Sequence, residues 1–263
     1  MCDAGRNLLD LLHQDPGKKL LGMLKRQPTD DKDVTESVSY RRMTNEPHRL
    51  DAVAPNTLVP EGVCAKILLP GADIRYMSRL YDDIEASKVL DALQTERHAR
   101  PWRRMGYGRE VMQWSQPGGL SYSFSDGMYT ADSFPDFAIS IKHRIEQVLS
   151  PIYGGLIFNY CVCNYYATGR AGVFWHADDE PEICEDSPIA CVSFGSERVF
   201  SLISQACTTA QAPLDLRLQH GSLVVMAGMT QKNYLHSIQK EASVTQPRFS
   251  LTFRVHRVSF SDF

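Results

Sequence analysis

The feature that most restricts the fold of this chain is a train of short alternating runs that begins at Ile157. The runs span 157–166, 172–176, 189–195, 198–204, 213–219, 222–227, 234–239 and 248–256, and Gly, Pro or polar turn residues separate them. Alternation with period 2 sends successive side chains to opposite faces of a strand. Short strands repeated at regular spacing argue for a sandwich or barrel. No internal repeat or low-complexity tract is present.

The upstream half is more mixed. Val63 to Leu69 reads as a strand ended by Pro70-Gly71. Ser78 is placed to N-cap a helix running to about Thr95, with Leu80, Ile84, Val89, Leu90 and Leu93 as its apolar stripe. Pro135 suits the first position of a second helix to about Leu149, packed through Phe137, Ile139, Ile141, Ile145 and Val148. The class expected is therefore α+β, mainly β, with helices flanking on the N-terminal side. Residues 1–60 read as an N-terminal extension, partly helical or poorly ordered, and residues 61–263 as one domain. In the extension, two leucine-rich stretches are broken by Pro16-Gly17, and a polar tract carries Asp30-Asp31-Lys32-Asp33. The leucine-rich start suits a packing arm, or alternatively a docking segment.

Composition excludes some classes. No apolar run approaches the ~20 residues of a membrane span, so no membrane association is expected. The seven cysteines are odd in number and none forms a Cys-x-x-Cys pair. Cys161 and Cys163 alternate within an apolar run, as small buried hydrophobes do. The expectation is a reducing intracellular compartment, nuclear or cytoplasmic, with neither disulfide nor zinc. A net charge of −3 gives no sign of a nucleic-acid partner, which would need a local basic patch. One candidate exists: Arg97, His98, Arg100, Arg103, Arg104 and Arg109 interleave with Trp102 and Tyr107, opposed only by Glu96 and Glu110. Such a segment is either a solvated loop or a phosphate-tracking, base-stacking one.

The chemistry concentrates between Asn164 and Glu180. His176 and Asp178 share a face if the return from Gly169 is a strand, and a third histidine would complete a 2-His-1-carboxylate triad suited to non-haem Fe(II). Spacing leaves both His220 and His236 open as that ligand. Arg248 and Arg254 are an even number apart, so a strand turns both guanidiniums to one side, where they can clamp a dicarboxylate by bidentate hydrogen bonds. Asn164 and Tyr166 share a face and can donate to the same oxygens.

Asn164-Tyr165-Tyr166, His176 to Glu180, Ser187 to Gly195, His236 and Arg248 to Arg254, extended back through Leu120 to Ser125, resemble the AlkB family of Fe(II)/2-oxoglutarate dioxygenases. The resemblance covers residues 60 to 257 and is nearest the members that repair alkylated nucleic acid. It implies a double-stranded β-helix, a jelly roll of two sheets with the metal in its mouth. It selects His236 as the third iron ligand. It places 2-oxoglutarate against Arg248, Arg254, Asn164, Tyr166, Ser250 and Thr252. Family members usually carry Asn where this chain has Ser250.

On the residues alone Tyr122 and Phe124 read as core. The resemblance puts Tyr122, Phe124 and Ser125 in a lid over the base pocket, with Phe124 stacked on a flipped base. It makes Trp102 a candidate for the apolar residue that fills the gap in a duplex, and Arg100, Arg103 and Arg104 phosphate contacts. Six acids between Asp178 and Asp186 read as a solvated loop, or, for Asp179 and Glu180, as acceptors from an exocyclic amino group. The implied reaction couples oxidation of 2-oxoglutarate by O2 to removal of an N-methyl group from DNA or RNA, releasing succinate, CO2 and formaldehyde, in a monomer. Alternatives are an oxygenase of the same type acting on a protein or small molecule, or a non-catalytic jelly-roll module.

Overall fold

The computed structural model describes residues 63–124, 127–206 and 213–257. The elements expected in residues 1–60 and the residue Ser125 lie outside them.

In chain order the elements are β1 (Ala65–Ile67), β2 (Asp73–Met77), α1 (Asp83–Ala99), β3 (Arg103–Arg104), β4 (Glu110–Ser115), β5 (Ser121–Phe124), β6 (Gly127–Thr130), β7 (Asp132–Ser133) and α2 (Asp136–Tyr153). After these come β8 (Tyr160–Tyr166), β9 (Val173–His176), β10 (Ile189–Gly195), β11 (Arg198–Ser204), β12 (Leu214–Leu218), β13 (Leu223–Ala227), the short helix α3 (Thr230–Asn233), β14 (Tyr234–Ile238) and β15 (Arg248–Arg254).

The strands form two sheets and a separate hairpin. The large sheet has the order β1-β2-β13-β10-β15-β8-β4-β3, with β7 alongside β4. The small sheet has the order β12-β11-β14-β9, and β5 pairs only with β6. From β8 onward the chain crosses between sheets: β8, β10, β13 and β15 join the large one, and β9, β11, β12 and β14 the small one. That alternation is the expected jelly roll.

The middle of the large sheet is buried on both faces, and β15 shows why. Phe249, Leu251 and Phe253 enter a cluster with Ala86 and Leu93 of α1, Ile141, Ile145 and Leu149 of α2, and Trp114. Each such side chain contributes about 1.5–3 kcal/mol on burial. The other face of β15 carries Arg248, Ser250, Thr252 and Arg254, all buried. A second cluster, including Ile74, Val224, Phe200, Leu202, Leu216 and Ile238, fills the space between the sheets on the same side as that polar face, its Tyr166 lying opposite Arg248.

Several expectations need correction. The first strand is only Ala65–Ile67. Ser78 does not cap α1; Met77 ends β2, and Asp82 is the N-cap, its carboxylate accepting from the Glu85 N–H at 2.8 Å. Ile84 is 71% exposed, because the buried stripe of the displaced helix runs through Ala86 and Leu93. α1 also extends through Arg97 and His98 to Ala99, so the basic segment begins as a helix end, where cations suit the dipole. Pro135 is the N-cap of α2 rather than its first residue, and Gly154 ends that helix at φ 71°.

Candidate active site

β9 and β14 lie side by side in the small sheet, and their register sets His176 directly opposite His236. The two rings are 4.2 Å apart between centroids. β9 ends at His176, so Asp178 reaches the site from the following loop rather than from the strand face expected for it. Its backbone N–H donates to Gln231 Oε1 of α3 at 2.9 Å. Asp178 Oδ1 lies 3.5 Å from His176 Nε2 and 3.9 Å from His236 Nε2. One ligand atom from each residue falls within 4.8 Å of the others, and this is the cluster found among the described residues. His220 is elsewhere: its Nδ1 accepts from the Gly195 N–H at 2.9 Å and its ring packs on Phe194.

The protonation pattern suits a metal. The Phe174 carbonyl stands 2.8 Å from His176 Nδ1, which places the proton there and leaves the Nε2 lone pair facing Asp178. Burial, then repulsion from His176, pushes the His236 pKa down to about 3, so this imidazole is neutral and able to ligate. Burial opposes the charge on Asp178, yet Arg254 and the two imidazoles hold its carboxyl well below the usual range. Three such donors with an open side fit Fe(II).

Arg254 Nη2 donates to Asp178 Oδ2 at 2.5 Å, which fixes one end of β15 beside the metal ligands. Arg248, six residues away on the same strand face, donates to Ser193 Oγ at 2.9 Å. Arg248 Nε and Nη1 and Arg254 Nε are buried without partners. Leaving such groups unpaired costs about 1–3 kcal/mol each. A face built this way is made for a ligand with acceptors at both ends, and 2-oxoglutarate has a carboxylate at each.

Ser250 lies opposite Asn164 of β8 and Ser193 of β10, and Thr252 opposite Cys191, so small polar groups line the middle of that face. Tyr166, opposite Arg248, has that guanidinium 5.1 Å from its ring centroid. Arg109, read from the sequence only as part of the basic segment, donates to Asn164 Oδ1 at 3.1 Å, which turns the amide nitrogen the other way. Gln231, Ser193 and Arg109 act through contacts between distant segments, so no local pattern gives them these roles.

The substrate side departs further from expectation. Trp102 is not a wedge: it is only 7% exposed, edge-on to Trp114 and Phe249 at 6.3 and 5.8 Å. A ring locked in that core has no route into a duplex. Arg100 is not a free cation, being paired with Glu96 and Asp132 at 2.6 Å each. Arg103 lies over the Tyr129 ring at 4.0 Å, and Arg104 is largely in solvent, 3.7 Å from Glu110. Tyr122 is buried, stacked obliquely on Tyr160 at 5.0 Å with Arg254 5.7 Å from its ring centroid. Phe124 ends β5.

The acidic loop is not uniformly solvated. Asp178 is buried, Asp179 exposed and Glu180 half-buried. Glu180 faces Tyr122, and burial followed by the Asp178 charge raises its pKa to about 6. Its Oε2 is buried without a hydrogen-bond partner. Glu185 pairs with Lys232.

The comparisons agree with this geometry. The profile of the 2OG-Fe(II) oxygenase superfamily matches residues 75–254. The chain is 30% identical over 262 residues to the human alpha-ketoglutarate-dependent dioxygenase alkB homolog 3, covering 92% of this chain and 85% of that protein. It is 31% identical over 223 residues to the Arabidopsis thaliana DNA oxidative demethylase ALKBH2, covering 70% of this chain and 67% of that one. The solved structure of OsALKBH1 superposes with a TM-score of 0.52 at 14% identity, over 73% of this chain and 99% of that one, which supports the fold. With the His176/Asp178/His236 cluster and the two buried arginines in place, the chain belongs to the 2OG-Fe(II) oxygenase superfamily and, within it, to the AlkB family of dioxygenases.

Proposed function

We propose that this enzyme removes N-alkyl groups from bases of DNA or RNA by oxidation. The observation that carries the reading is the buried arginine face of β15 ending at the metal cluster, in a chain 30% and 31% identical to proteins named as dioxygenase and DNA oxidative demethylase. Bound Fe(II) and 2-oxoglutarate would supply an O2-derived oxidant able to hydroxylate an N-methyl carbon, after which formaldehyde leaves.

This chain's residues supply the rest. His176, Asp178 and His236 would hold the metal as three donors. Arg248 and Arg254 bind the two carboxylates of the cosubstrate, while Asn164, Tyr166, Ser250 and Thr252 line its path. Arg254 also neutralises Asp178, so cosubstrate and metal sites are one electrostatic unit. Glu180, with one oxygen unpaired, is placed to accept from the exocyclic amino group of adenine or cytosine and favours a base made cationic by methylation. Asp179 is exposed at the same edge. Arg103 and Arg104 meet phosphates. A base in a duplex must be flipped out first, at a cost of a few kcal/mol that is least for damaged bases.

We further propose that the enzyme acts as a monomer. No helix among the described residues is long and apolar enough to cross a membrane. Cys64, Cys161, Cys163, Cys184 and Cys191 are free thiols, which favours a reducing, nuclear or cytoplasmic setting. The domain of residues 61–263 carries the chemistry, with 1–60 as an extension.

The test is incubation with Fe(II), 2-oxoglutarate, O2 and oligonucleotides containing 1-methyladenine or 3-methylcytosine. Formaldehyde and succinate should appear in equal amounts and only with the methylated oligonucleotide. Succinate without oligonucleotide-dependent formaldehyde would assign the enzyme to another substrate.

A further inference from the structure

The β5–β6 hairpin belongs to neither sheet. A two-stranded hairpin is at best marginally stable by itself in water, so what holds it decides where it sits. Its Tyr122 packs against Arg254, which touches Asp178, so the hairpin stands next to the metal end of the site.

Two side chains outside the hairpin grip its first strand. Glu182 Oε1 accepts from Ser123 Oγ at 2.5 Å and from the Ser123 N–H at 3.2 Å. The His256 ring, stacked on Tyr160 at 5.4 Å, places Nε2 2.8 Å from the Ser121 carbonyl. Glu182 and His256 are themselves tied together. Ile183 and His256 form a β-bridge, the Cys184 N–H donates to the Val255 carbonyl at 2.8 Å, and the Arg257 N–H donates to the Glu182 carbonyl at 2.7 Å. The base of both struts therefore consists of the loop that follows Asp178 and the chain that follows Arg254. Along that loop, Asp178 holds Arg254, Glu180 faces Tyr122 and Glu182 holds Ser123, at every second residue.

We propose that Glu182 and His256 are positioning residues that set the height of the hairpin over the metal end, and so the affinity for the base, without touching the cosubstrate. The inference rests on the nucleic-acid reading above for its substrate half. Glu182 and His256 contact Ser123, Ser121 and Tyr160 rather than the guanidiniums, so the struts act on the hairpin first and reach the 2-oxoglutarate site only through Tyr122 on Arg254.

Glu182→Ala removes both bonds to Ser123, whereas Glu182→Gln keeps a carbonyl in the same place that can accept them. Ser123→Ala removes only the hydroxyl bond and guards against a general folding defect. In metal-free protein, amide hydrogen exchange of Ser121–Phe124 and Gly127–Thr130 should quicken about tenfold in Glu182→Ala and return towards wild type in Glu182→Gln. With Fe(II) present, the KM for a single-stranded 1-methyladenine oligonucleotide should rise about tenfold in Glu182→Ala, the scale of one charge-assisted hydrogen bond, while the KM for 2-oxoglutarate stays the same. Unchanged exchange in Glu182→Ala and Ser123→Ala, equal rises in both KM values, or failure of Gln to rescue would each overturn the proposal. If the wild type releases no formaldehyde from any methylated oligonucleotide, the demethylase reading and the substrate half fall together, and hydrogen exchange alone decides the strut.

Discussion

The metal-and-cosubstrate half of the site and the hairpin-and-basic-segment half are built from different materials. The first stands on paired strands: β9 against β14 for the histidines, and β15 between β8 and β10 for the arginines. The histidines and arginines there have their positions set by sheet register, and Asp178, from the loop after β9, is held by Arg254 and Gln231. The second rests on a two-stranded hairpin, a helix end and an exposed turn, held by a small apolar cluster around Tyr122 and by side-chain contacts such as Arg103 on Tyr129 and Glu182 on Ser123. Strand-borne groups are suited to chemistry that tolerates little displacement. Loosely braced ones can vary with the substrate without disturbing it, which is why the class of reaction is plainer here than its target.

The largest effects should come from breaking the first half. His176→Ala should reduce substrate-dependent succinate formation to background while thermal unfolding changes little. Asp178→Ala should lose activity equally and also lose about 3–5 kcal/mol of stability, because it leaves Arg254 as an unpaired buried charge. Equal unfolding midpoints for the two variants would show that the Asp178–Arg254 pair does not brace the site.

Trp102 tests which half a residue belongs to. Trp102→Ala should cost about 3–5 kcal/mol in chemical denaturation, as for other large core side chains. Activity on duplex and single-stranded substrate should fall in equal proportion. A selective loss on duplex would return Trp102 to the substrate half.

Acid should weaken the metal half of the metal-free protein. The folded pKa of His236 is depressed to about 3 from an ordinary 6.5, so on acidification the unfolded chain takes up this proton first. The stability due to neutral His236 is complete above pH 6.5 and falls by about 1.4 kcal/mol per unit down to about pH 3. Asp178, held low, adds a loss in the same direction at the acid end. His236→Gln should flatten the upper part of the curve, and an unchanged slope would contradict the buried neutral imidazole.

Arg248→Lys keeps charge but loses the planar fork, so the KM for 2-oxoglutarate should rise about tenfold with the oligonucleotide KM unmoved. Arg254→Lys is a less clean probe, since Arg254 also holds Asp178 and the substitution disturbs iron as well as cosubstrate. The smallest effect belongs to the second half. Arg104→Ala should weaken single- and double-stranded substrates alike and lower the salt slope of binding by about one. A slope identical to wild type would remove Arg104 from the phosphate contacts.

From β8 to β15 the strands were legible to within a few residues, because each has one or two faces buried and the pattern repeats every second residue. The pairing of Arg248 with Arg254 on one face followed from that same period. Before β8 the reading was poorer. β2 and β4 were missed because Arg75, Glu110 and Gln113 interrupt their apolar residues, and the cap of α1 was assigned four residues early. The six acids after His176 read alike, since nothing local distinguishes Asp178, which meets Arg254 of another strand, from Asp186.

The sequence by itself determined a sandwich or barrel of short strands and the identity of the chemical groups, since strand periodicity and residue type are local properties; the jelly roll was implied by the family resemblance. Tertiary structure alone decided which groups remain available. It buried Trp102 against Phe249, paired Arg100 with two carboxylates, turned Arg109 onto Asn164 and recruited Glu182 and His256 to the hairpin. Each of these outcomes depends on contacts between segments far apart in the chain, and burial and charge pairing are properties of those contacts rather than of any stretch of residues.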